Sequence, residues 1–409
     1  MTEYEIFELE SGIRIVHRQV TNTKIAHCAI MLDIGSRDEK PHQQGIAHFW
    51  EHMAFKGTKK RKAFHVINRL ESVGGELNAY TTKEKICFYA SVLDDHFSKA
   101  VELLSDITFN SIFPEAQLNK EREVILEEMS MYQDSPEDAI QDELDALIFD
   151  GHQLGKNILG HVESVNGFNR KHILDFIEDN IDTSRLVISS VGPFSLRKIK
   201  KIMERHFGGI PQVKKERIRV SPNGHNIKNE VVNKDILQSH IALGRRAFDM
   251  HSASKIPFFV LNNIFGGHSL NSKLNMALRE QNGFVYNIES NFHAMTDSGY
   301  FTLFYATDPK KLKRSLELVE REMTKLKKIE LGQRQLQSAK DQIKGQLAMA
   351  EENNQNYMLM MAKNLLDYNK INSLESVFEK IDAVTSTQLK TLSNEMLNME
   401  EMSALKYIP

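Results

Sequence analysis

Two segments of this 409-residue chain occur twice in the same order, and this repeat limits the possible folds more than any other feature. The stretch CFYASVLDDHFSKAVELLSDI at 87–107 resembles LFYATDPKKLKRSLELVEREM at 303–323, and QLNKEREVILEEM at 117–129 resembles QLQSAKDQIKGQL at 335–347. A single match would fit two unrelated amphipathic helices. Two matches, offset by 216 and 218 residues, indicate instead that a unit of about 200 residues is duplicated.

The hydrophobic pattern predicts how the repeated unit folds. Alternating stretches such as GIRIVHRQV and KIAHCAIMLDIGSR precede a helical pattern near residue 45, and a second strand pair is followed by long helical stretches. Strands followed by helices favour an α+β fold with mainly antiparallel sheets over a parallel βαβ sheet. Because residues 209–229 are polar and turn-rich, we expect a first domain at 1–210, a linker at 211–228 and a homologous domain at 229–409.

Composition and charge exclude several classes of protein. The fractions of hydrophobic (41%) and charged (26%) residues are those of a globular chain. A net charge of −3 gives no global attraction for nucleic acid, and KGTKKRK at 56–62 could be a solvated loop or a contact for acidic groups. Cys28 and Cys87 lie in apolar runs, so we expect buried thiols. With neither a secretion signal nor a membrane span, we expect a soluble cytoplasmic protein without membrane partners.

The stretch HFWEH predicts a metal site on one turn of helix. His48, Glu51 and His52 are spaced i, i+3 and i+4, so their side chains share a helix face. Two imidazoles one turn apart can bind one metal ion, and Zn²⁺ in catalytic sites takes a third ligand and activates a water molecule. Glu51, between the two histidines, is placed to accept a proton from that water. The H-x-x-E-H order is known as a metallopeptidase signature.

A second helical stretch, EREVILEEM at 121–129, offers the missing carboxylate. Glu121, Val124, Ile125 and Glu128 follow the spacing of one helix face, so the two acids are expected to face the interior beside two apolar residues. Glu123 and Glu127 lie off this face and are expected to be solvated. The spacing alone leaves open whether Glu128 or Glu121 is the metal ligand. The acid that does not bind the metal could support a ligand by a hydrogen bond.

Six motifs extend over most of both halves of the chain: GSRDE at 35–39, GIAHFWEHMAFKGT at 45–58, GGELNAYTTKE at 74–84, EREVILEE at 121–128, LGKNILG at 154–160 and GGHSLNSKLNMALREQNGFVY at 266–286. With these motifs the chain resembles the pitrilysin-type (inverzincin) zinc metallopeptidases, in the half-size branch related to the mitochondrial processing peptidase. The resemblance implies that His48, His52 and Glu128 bind one zinc ion. It also implies that Glu51 activates the water and that Glu121 is a supporting acid.

The resemblance implies further contacts with a substrate. Arg279 and Tyr286 are expected to reach a peptide bound at the zinc, where an arginine and a phenol can donate to the developing oxyanion. Asn78 and Ala79 match an edge strand that pairs with the extended peptide through backbone hydrogen bonds. Trp50 stands where an aliphatic residue is more usual, and we expect it to pack in the core.

The second half keeps the repeat but lacks the metal-site residues, because Ala339 and Gln346 align with Glu121 and Glu128. Full-size relatives join two pairs of such domains into a clamshell around a chamber, so the resemblance implies that this chain is half of a clamshell. We therefore expect a homodimer in which Arg279 and Tyr286 serve the zinc of the partner chain.

These features predict a zinc metalloendopeptidase that hydrolyses peptides or unfolded polypeptide segments inside a chamber. Water activated by the metal would attack the peptide carbonyl, with Glu51 as general base. The alternative is a non-catalytic subunit of the same superfamily that binds peptides or supports an assembly. The presence of both histidines, the third carboxylate and the base favours the enzyme.

Overall fold

The computed structural model describes residues 4–224 and 226–409, which form two compact units. The first unit consists of the residues up to Met129, Lys156–Arg219 and Met349–Asn372. The second unit consists of Ser130–Gly155, Val220–Ala348 and Ser373–Pro409. The units are interleaved along the chain, so the domains at 1–210 and 229–409 and the linker at 211–228 stay a prediction about the halves of the sequence.

A mainly antiparallel sheet is the centre of the first unit. Its strands in the described residues are β1 (Glu5–Glu8), β2 (Arg14–Gln19), β3 (Ile25–Leu32), β4 (Glu76–Thr81), β5 (Ile86–Leu93) and β6 (Leu186–Gly192). They lie in the order β1-β2-β6-β3-β5-β4, with β2 and β6 parallel and the other neighbours antiparallel. Successive residues of β3 pack on opposite faces, with Cys28 and Ile30 in one apolar cluster and Ala29 and Met31 in another. Both faces of this sheet are therefore buried.

The second unit is built around a similar sheet. Its strands in the described residues are β7 (Asn229–Asn233), β8 (Ser239–Arg246), β9 (Ile288–Ala294), β10 (Gly299–Thr307) and β11 (Ser403–Ile408). Their order is β7-β11-β8-β10-β9, and β7 and β11 run parallel while the other neighbours are antiparallel. The predicted α+β class with mainly antiparallel sheets is confirmed.

Helices cover both sheets. Within the described residues they are α1 (Ile46–Ala54), α2 (Ala63–Glu71), α3 (Phe97–Phe109), α4 (Glu115–Asp134), α5 (Pro136–Ile148), α6 (Val162–Gly167), α7 (Arg170–Asn180), α8 (Leu196–Phe207), α9 (Lys255–Gly266), α10 (Leu312–Lys328), α11 (Gln333–Glu352), α12 (Asn354–Tyr368), α13 (Leu374–Asp382) and α14 (Ser386–Met396). A short π-helix spans Asn275–Glu280. None of the described helices is both long and apolar enough to cross a lipid bilayer. The cytoplasmic location stays a prediction.

The internal repeat has a structural counterpart in each unit. The first repeated segment spans β5 and α3 in one half and β10 and α10 in the other. The second lies on α4 and α11, where Leu118 and Leu336 are both buried, as are Ile125 and Ile343. Each of these pairs is separated by the 218-residue offset seen in the sequence. Corresponding residues of the repeat are therefore buried in both units.

Each sheet is also covered by one helix from the other half of the sequence. In the first unit, α12 packs on β3 and β6, and its buried Met361 and Leu365 share an apolar cluster with Met31. Lys85 Nζ lies 2.5 Å from Asp367 Oδ1 on the same helix, and both side chains are buried. In the second unit, α5 packs on β8 and β11. The compact units differ from the sequence halves because one face of each sheet is covered by a helix that comes from the other half of the sequence.

Two arginines of the predicted linker, Arg217 and Arg219, belong to the first unit and are held there by ion pairs. Arg217 Nη2 lies 2.5 Å from Asp33 Oδ2. Arg219 forms two hydrogen bonds to Asp38, with Nε 2.9 Å from Oδ1 and Nη2 2.7 Å from Oδ2. Asp38 belongs to the GSRDE motif. Because these side chains are mostly buried, the linker is held in place up to residue 219.

The same motif sets the start of α1, the helix that carries the two histidines. The Glu39 carboxylate accepts hydrogen bonds from the backbone N–H groups of Gly45 and Ala47, both at 2.9 Å. These donors have no partner within the helix, so a carboxylate at this end stabilises the first turn. Gly45 has φ +93°, and a Cβ there would lie 2.5 Å from the carbonyl oxygen of Leu159. Only glycine fits this position.

We predict that the packing of α12 stabilises the first unit. Met361→Ala should lower the free energy of unfolding by about 2–5 kcal/mol, because it removes a fully buried side chain. Met349→Ala, at a position that is 69% exposed, should change it by less than about 0.5 kcal/mol. Urea unfolding can be followed through Trp50, the only tryptophan, which is buried in the first unit. Equal midpoints for the two variants would contradict the packing role of α12.

Candidate metal centre

The histidines of α1 stand on the side of the helix that faces α4. The apolar residues of α1 are buried in the core, including Trp50, which packs edge-on against Phe88 and Phe176 as its predicted core position requires. This packing fixes the rotation of the helix. The rings of His48 and His52 then lie one turn apart with their centroids separated by 4.6 Å. His48 is buried, whereas His52 is partly accessible.

A carboxylate from α4 completes a group of three possible metal ligands. Glu128 Oε2 lies 3.7 Å from His48 Nε2 and 3.4 Å from His52 Nε2. One atom from each residue lies within 4.8 Å of the others, and no other such group occurs among the described residues. Tetrahedral zinc with bonds of about 2.0–2.2 Å requires ligand atoms about 3.3–3.6 Å apart. The two distances to Glu128 are close to this range, so this donor set suits a zinc ion.

The buried face of α4 differs in one respect from the expectation. Glu121 and Ile125 are buried, and Glu123 and Glu127 are exposed as predicted. The prediction that Val124 faces the interior is wrong, because Val124 is 50% exposed. It lies about 100° around the helix from Ile125, the centre of the buried stripe. Glu128, at the margin of this stripe, is half-buried and can reach the histidines from the side.

Glu121 orients one of the two imidazoles. Its Oε2 lies 3.2 Å from His52 Nδ1, and its Oε1 lies 2.6 Å from Lys56 Nζ. A proton on Nδ1 that is donated to Glu121 leaves the Nε2 lone pair on the side of Glu128. His48 Nδ1, in contrast, makes no hydrogen bond to any residue that the structure describes. On the Nδ1 side, the His48 ring is therefore held by packing and not by a hydrogen bond.

Glu51 is held beside the three ligands by a strand. Its Oε2 accepts a hydrogen bond of 2.5 Å from Thr81 Oγ1, at the end of β4. Burial raises the pKa of the Glu51 carboxyl, and the hydrogen bond from Thr81 opposes that rise. A carboxylate with a raised pKa is a stronger proton acceptor. A raised pKa in these surroundings is compatible with the general-base role of Glu51, which stays a prediction.

The electrostatic environment favours a positive charge between α1 and α4. Burial disfavours a charge on His52, but hydrogen bonds with Glu121 and Glu128 outweigh it and raise the pKa of His52 to about 9. Burial and the neighbouring His52 lower the pKa of His48 to about 4. With Glu51 included, three carboxylates surround the two imidazoles. This cluster of acidic groups provides the negative surroundings that a cation site requires.

The substrate residues predicted on the first unit lie on an exposed edge of its sheet. In β4, Asn78 pairs with Tyr89 and Ala79 with Phe88 of β5. Within the described residues, β4 is the last strand of the sheet, so its other side has no strand partner. The same strand carries Thr81, which contacts Glu51. An edge strand is thereby connected to the candidate metal centre through the contact between Thr81 and Glu51.

Arg279 and Tyr286 lie close together in the second unit. Arg279 is on the π-helix, and its Cζ lies 5.6 Å from the centroid of the Tyr286 ring. The turn between them is closed by a hydrogen bond from the Gly283 N–H to the carbonyl oxygen of Arg279, at 2.9 Å. Tyr286 is 87% exposed. A π-helix is rare and is frequent at functional sites, and the contact of Arg279 and Tyr286 with a substrate stays a prediction.

Lys56 and Thr81 are site residues that the motif alone did not reveal. Lys56 lies two residues beyond the end of α1, so the helical spacing of the motif does not extend to it. Thr81 comes from a separate strand, and its contact with Glu51 depends on how β4 packs beside α1. The sequence gives no signal for that contact.

Comparison with known families and proteins agrees with this geometry. The family described as Insulinase (Peptidase family M16) matches residues 14–162, and the domain described as Peptidase M16 inactive domain matches residues 167–343. The uncharacterized zinc protease YmxG of Bacillus subtilis is 32% identical over 98% of this chain and 97% of its own length. An uncharacterized zinc protease of Rickettsia bellii is 30% identical over 98% of this chain and 97% of its own length.

Two solved structures share the fold. A protease from Helicobacter pylori has a TM-score of 0.91 at 21% identity and covers 99% of both chains. A structure from Pseudomonas fluorescens, described as a peptidase M16 inactive domain, has a TM-score of 0.91 at 18% identity and covers 99% of this chain and 98% of its own. With the family match and the relatives above, these likenesses confirm the predicted pitrilysin-type resemblance. The chain belongs to peptidase family M16.

Proposed function

We propose that the protein is a zinc-dependent endopeptidase that hydrolyses peptides or unfolded polypeptide segments. The observation that carries the proposal is the convergence of His48, His52 and Glu128, with Glu51 held beside them by Thr81. The zinc protease names of the relatives support the choice of metal. The proposed stoichiometry is one Zn²⁺ per chain.

His48, His52 and Glu128 would hold the zinc ion, and Glu121 would keep His52 in the tautomer that offers Nε2. When bound, zinc supplies Lewis acidity that polarises the peptide carbonyl and lowers the pKa of a water molecule. Lys56 balances the charge of Glu121 through its 2.6 Å contact. The ligand set therefore stays oriented without adding a further negative charge.

Glu51 is assigned the proton transfers. Its carboxylate takes a proton from the water whose oxygen bonds to the peptide carbon. It then delivers that proton to the amide nitrogen as the carbon–nitrogen bond breaks. Thr81 Oγ1 donates to one Glu51 oxygen, so the other oxygen stays free for this exchange. Glutamine has nearly the same shape but cannot accept the proton, which makes it the informative substitution.

β4 is assigned the recognition of an extended substrate. The free side of this edge strand can form backbone hydrogen bonds with a peptide, in which Asn78 and Ala79 take part. Backbone pairing does not depend on side-chain identity, so it suits an enzyme that accepts varied sequences. It also requires a substrate segment without its own secondary structure, which explains the preference for peptides and unfolded polypeptides.

Arg279 and Tyr286 are assigned to the zinc site of a second copy in a homodimer. Both can donate hydrogen bonds to the negative charge that develops on the carbonyl oxygen. The exposure of Tyr286 leaves its phenol available to a second copy or its bound peptide. In a symmetric dimer each chain then offers this pair to its partner.

We predict that Glu51→Gln abolishes turnover without loss of zinc. The rate of hydrolysis of a quenched fluorescent peptide should fall by at least about a thousandfold, while metal analysis still finds one zinc per chain. Glu123→Gln, on the exposed face of α4, is the matched control and should keep both properties. A wild-type protein that binds the peptide and zinc without hydrolysis would favour the non-catalytic alternative.

Mixing two inactive variants tests the homodimer. Glu51→Gln lacks the base, and the double variant Arg279→Ala with Tyr286→Phe lacks the donors, so each alone should be nearly inactive. After the two are mixed, about a quarter of wild-type activity should return, because half of the randomly paired dimers have one complete site out of two. If each chain uses its own Arg279 and Tyr286, mixing restores nothing and the shared-site proposal fails.

A further inference from the structure

A basic cavity lies beside the candidate metal centre in the first unit. Its volume is about 360 Å³, and it is formed by the loop after α1 and the residues before and within the first turn of α4. No acidic residue is among its lining residues in the described chain. Five cationic side chains line it: Lys56, Lys59, Lys60, Arg61 and Lys62.

The loop that carries these cations is held in a fixed shape. Thr58 Oγ1 donates to Asp106 Oδ2 at 2.7 Å and accepts hydrogen bonds from the backbone N–H groups of Lys60 and Arg61. Thr58 also forms a β-bridge with Ser111, and Gly57 forms one with Lys62. The backbone positions of the cations are therefore set by the fold. A run of charged residues in an unstructured, solvated loop would lack these hydrogen bonds and bridges.

The loop carries more positive charge than its neighbours neutralise. Arg61 is paired with Glu102 and Asp106 at 2.6 and 2.5 Å, and Lys60 is 4.0 Å from the same Glu102. Lys59 and Lys62 are exposed and form no ion pair with any described residue. The whole chain has a net charge of −3, so this local excess does not follow from composition.

One residue connects the cavity with the metal centre. Lys56 lines the cavity, and its ammonium group contacts Glu121, whose other oxygen contacts His52. A polypeptide bound at the metal centre therefore passes near this cavity if it extends toward Lys56. Cations carried by this ordered backbone would attract a carboxylate side chain and repel a cationic one.

We propose that the cavity is a substrate subsite for an acidic side chain of the bound polypeptide, with Lys59 and Lys62 as its specificity-determining residues. This inference rests on the proposed peptidase function and adds a substrate class to it. The enzyme then prefers segments with glutamate or aspartate on the side of the cleaved bond that lies toward Lys56.

The test compares two peptides that differ only in glutamate against glutamine at positions flanking the cleaved bond. Their dissociation constants are measured by fluorescence anisotropy on the full-length, zinc-loaded Glu51→Gln protein, so that binding is read without turnover. We expect the glutamate peptide to bind about five- to tenfold more tightly, and the preference to weaken as salt concentration rises.

Charge variants of the same Glu51→Gln protein then test whether Lys59 and Lys62 cause the preference for the glutamate peptide. Lys59→Glu with Lys62→Glu should abolish it, and Lys59→Gln with Lys62→Gln should reduce it part of the way. The matched control is Lys313→Glu with Lys328→Glu, which changes the net charge equally at two exposed lysines of α10. This control should keep the wild-type preference.

Equal affinities for the two peptides, or a preference that survives in the Lys59→Glu, Lys62→Glu variant, would overturn the inference. Failure of the proposed function gives a different result, namely no hydrolysis of either peptide by the zinc-loaded wild-type protein. The binding comparison still decides the subsite in that case, because it does not depend on turnover.

Discussion

The contact between the imidazoles of α1 and a carboxylate of α4 is the interaction on which this account depends. Both imidazoles lie 3.4–3.7 Å from the same oxygen of Glu128 in a largely buried region. Burial of such groups costs free energy unless they are paired or bind a metal ion. A zinc ion would satisfy all three at once, and the carboxylates of Glu121 and Glu128 beside His52 give the negative surroundings that a cation site requires.

The rest of the first unit keeps this contact in place. Glu39 and Gly45 determine where α1 begins, and the apolar residues around Trp50 determine its rotation. α12 then covers the opposite face of the sheet, so the sheet that positions β4 and Thr81 is buried on both sides. The candidate metal centre is therefore supported by residues from distant parts of the sequence, including the second half of the chain.

Much of this arrangement could be predicted from local patterns. The i, i+3, i+4 spacing gave His48, Glu51 and His52, since a helix face follows directly from 3.6 residues per turn. The repeat predicted that Leu118 and Leu336 occupy equivalent positions. Both are buried, because a duplicated core keeps its buried positions. The exposure of Val124 was not foreseen, because spacing alone does not fix where the centre of a buried stripe lies.

The remaining features depend on contacts between distant segments. Helix α5, from the first half of the sequence, belongs to the second unit, and α12, from the second half, belongs to the first unit. The sequence pattern does not predict this placement, because both helices are ordinary amphipathic helices that could pack on either sheet. The contact of Thr81 with Glu51 likewise follows from the packing of β4 beside α1. Periodicity also did not separate Glu128 from Glu121, which the structure distinguishes by distance and by the partners of His52.

X-ray absorption at the zinc edge, on the full-length protein loaded with zinc, tests the central claim most directly. We expect a site with two imidazole nitrogens and one carboxylate oxygen from the protein at about 2.0–2.2 Å. The spectrum should also change when Glu128 is replaced by glutamine. A zinc spectrum without imidazole ligands, or zinc binding that is unaffected by the loss of His48 and His52, would contradict the claim.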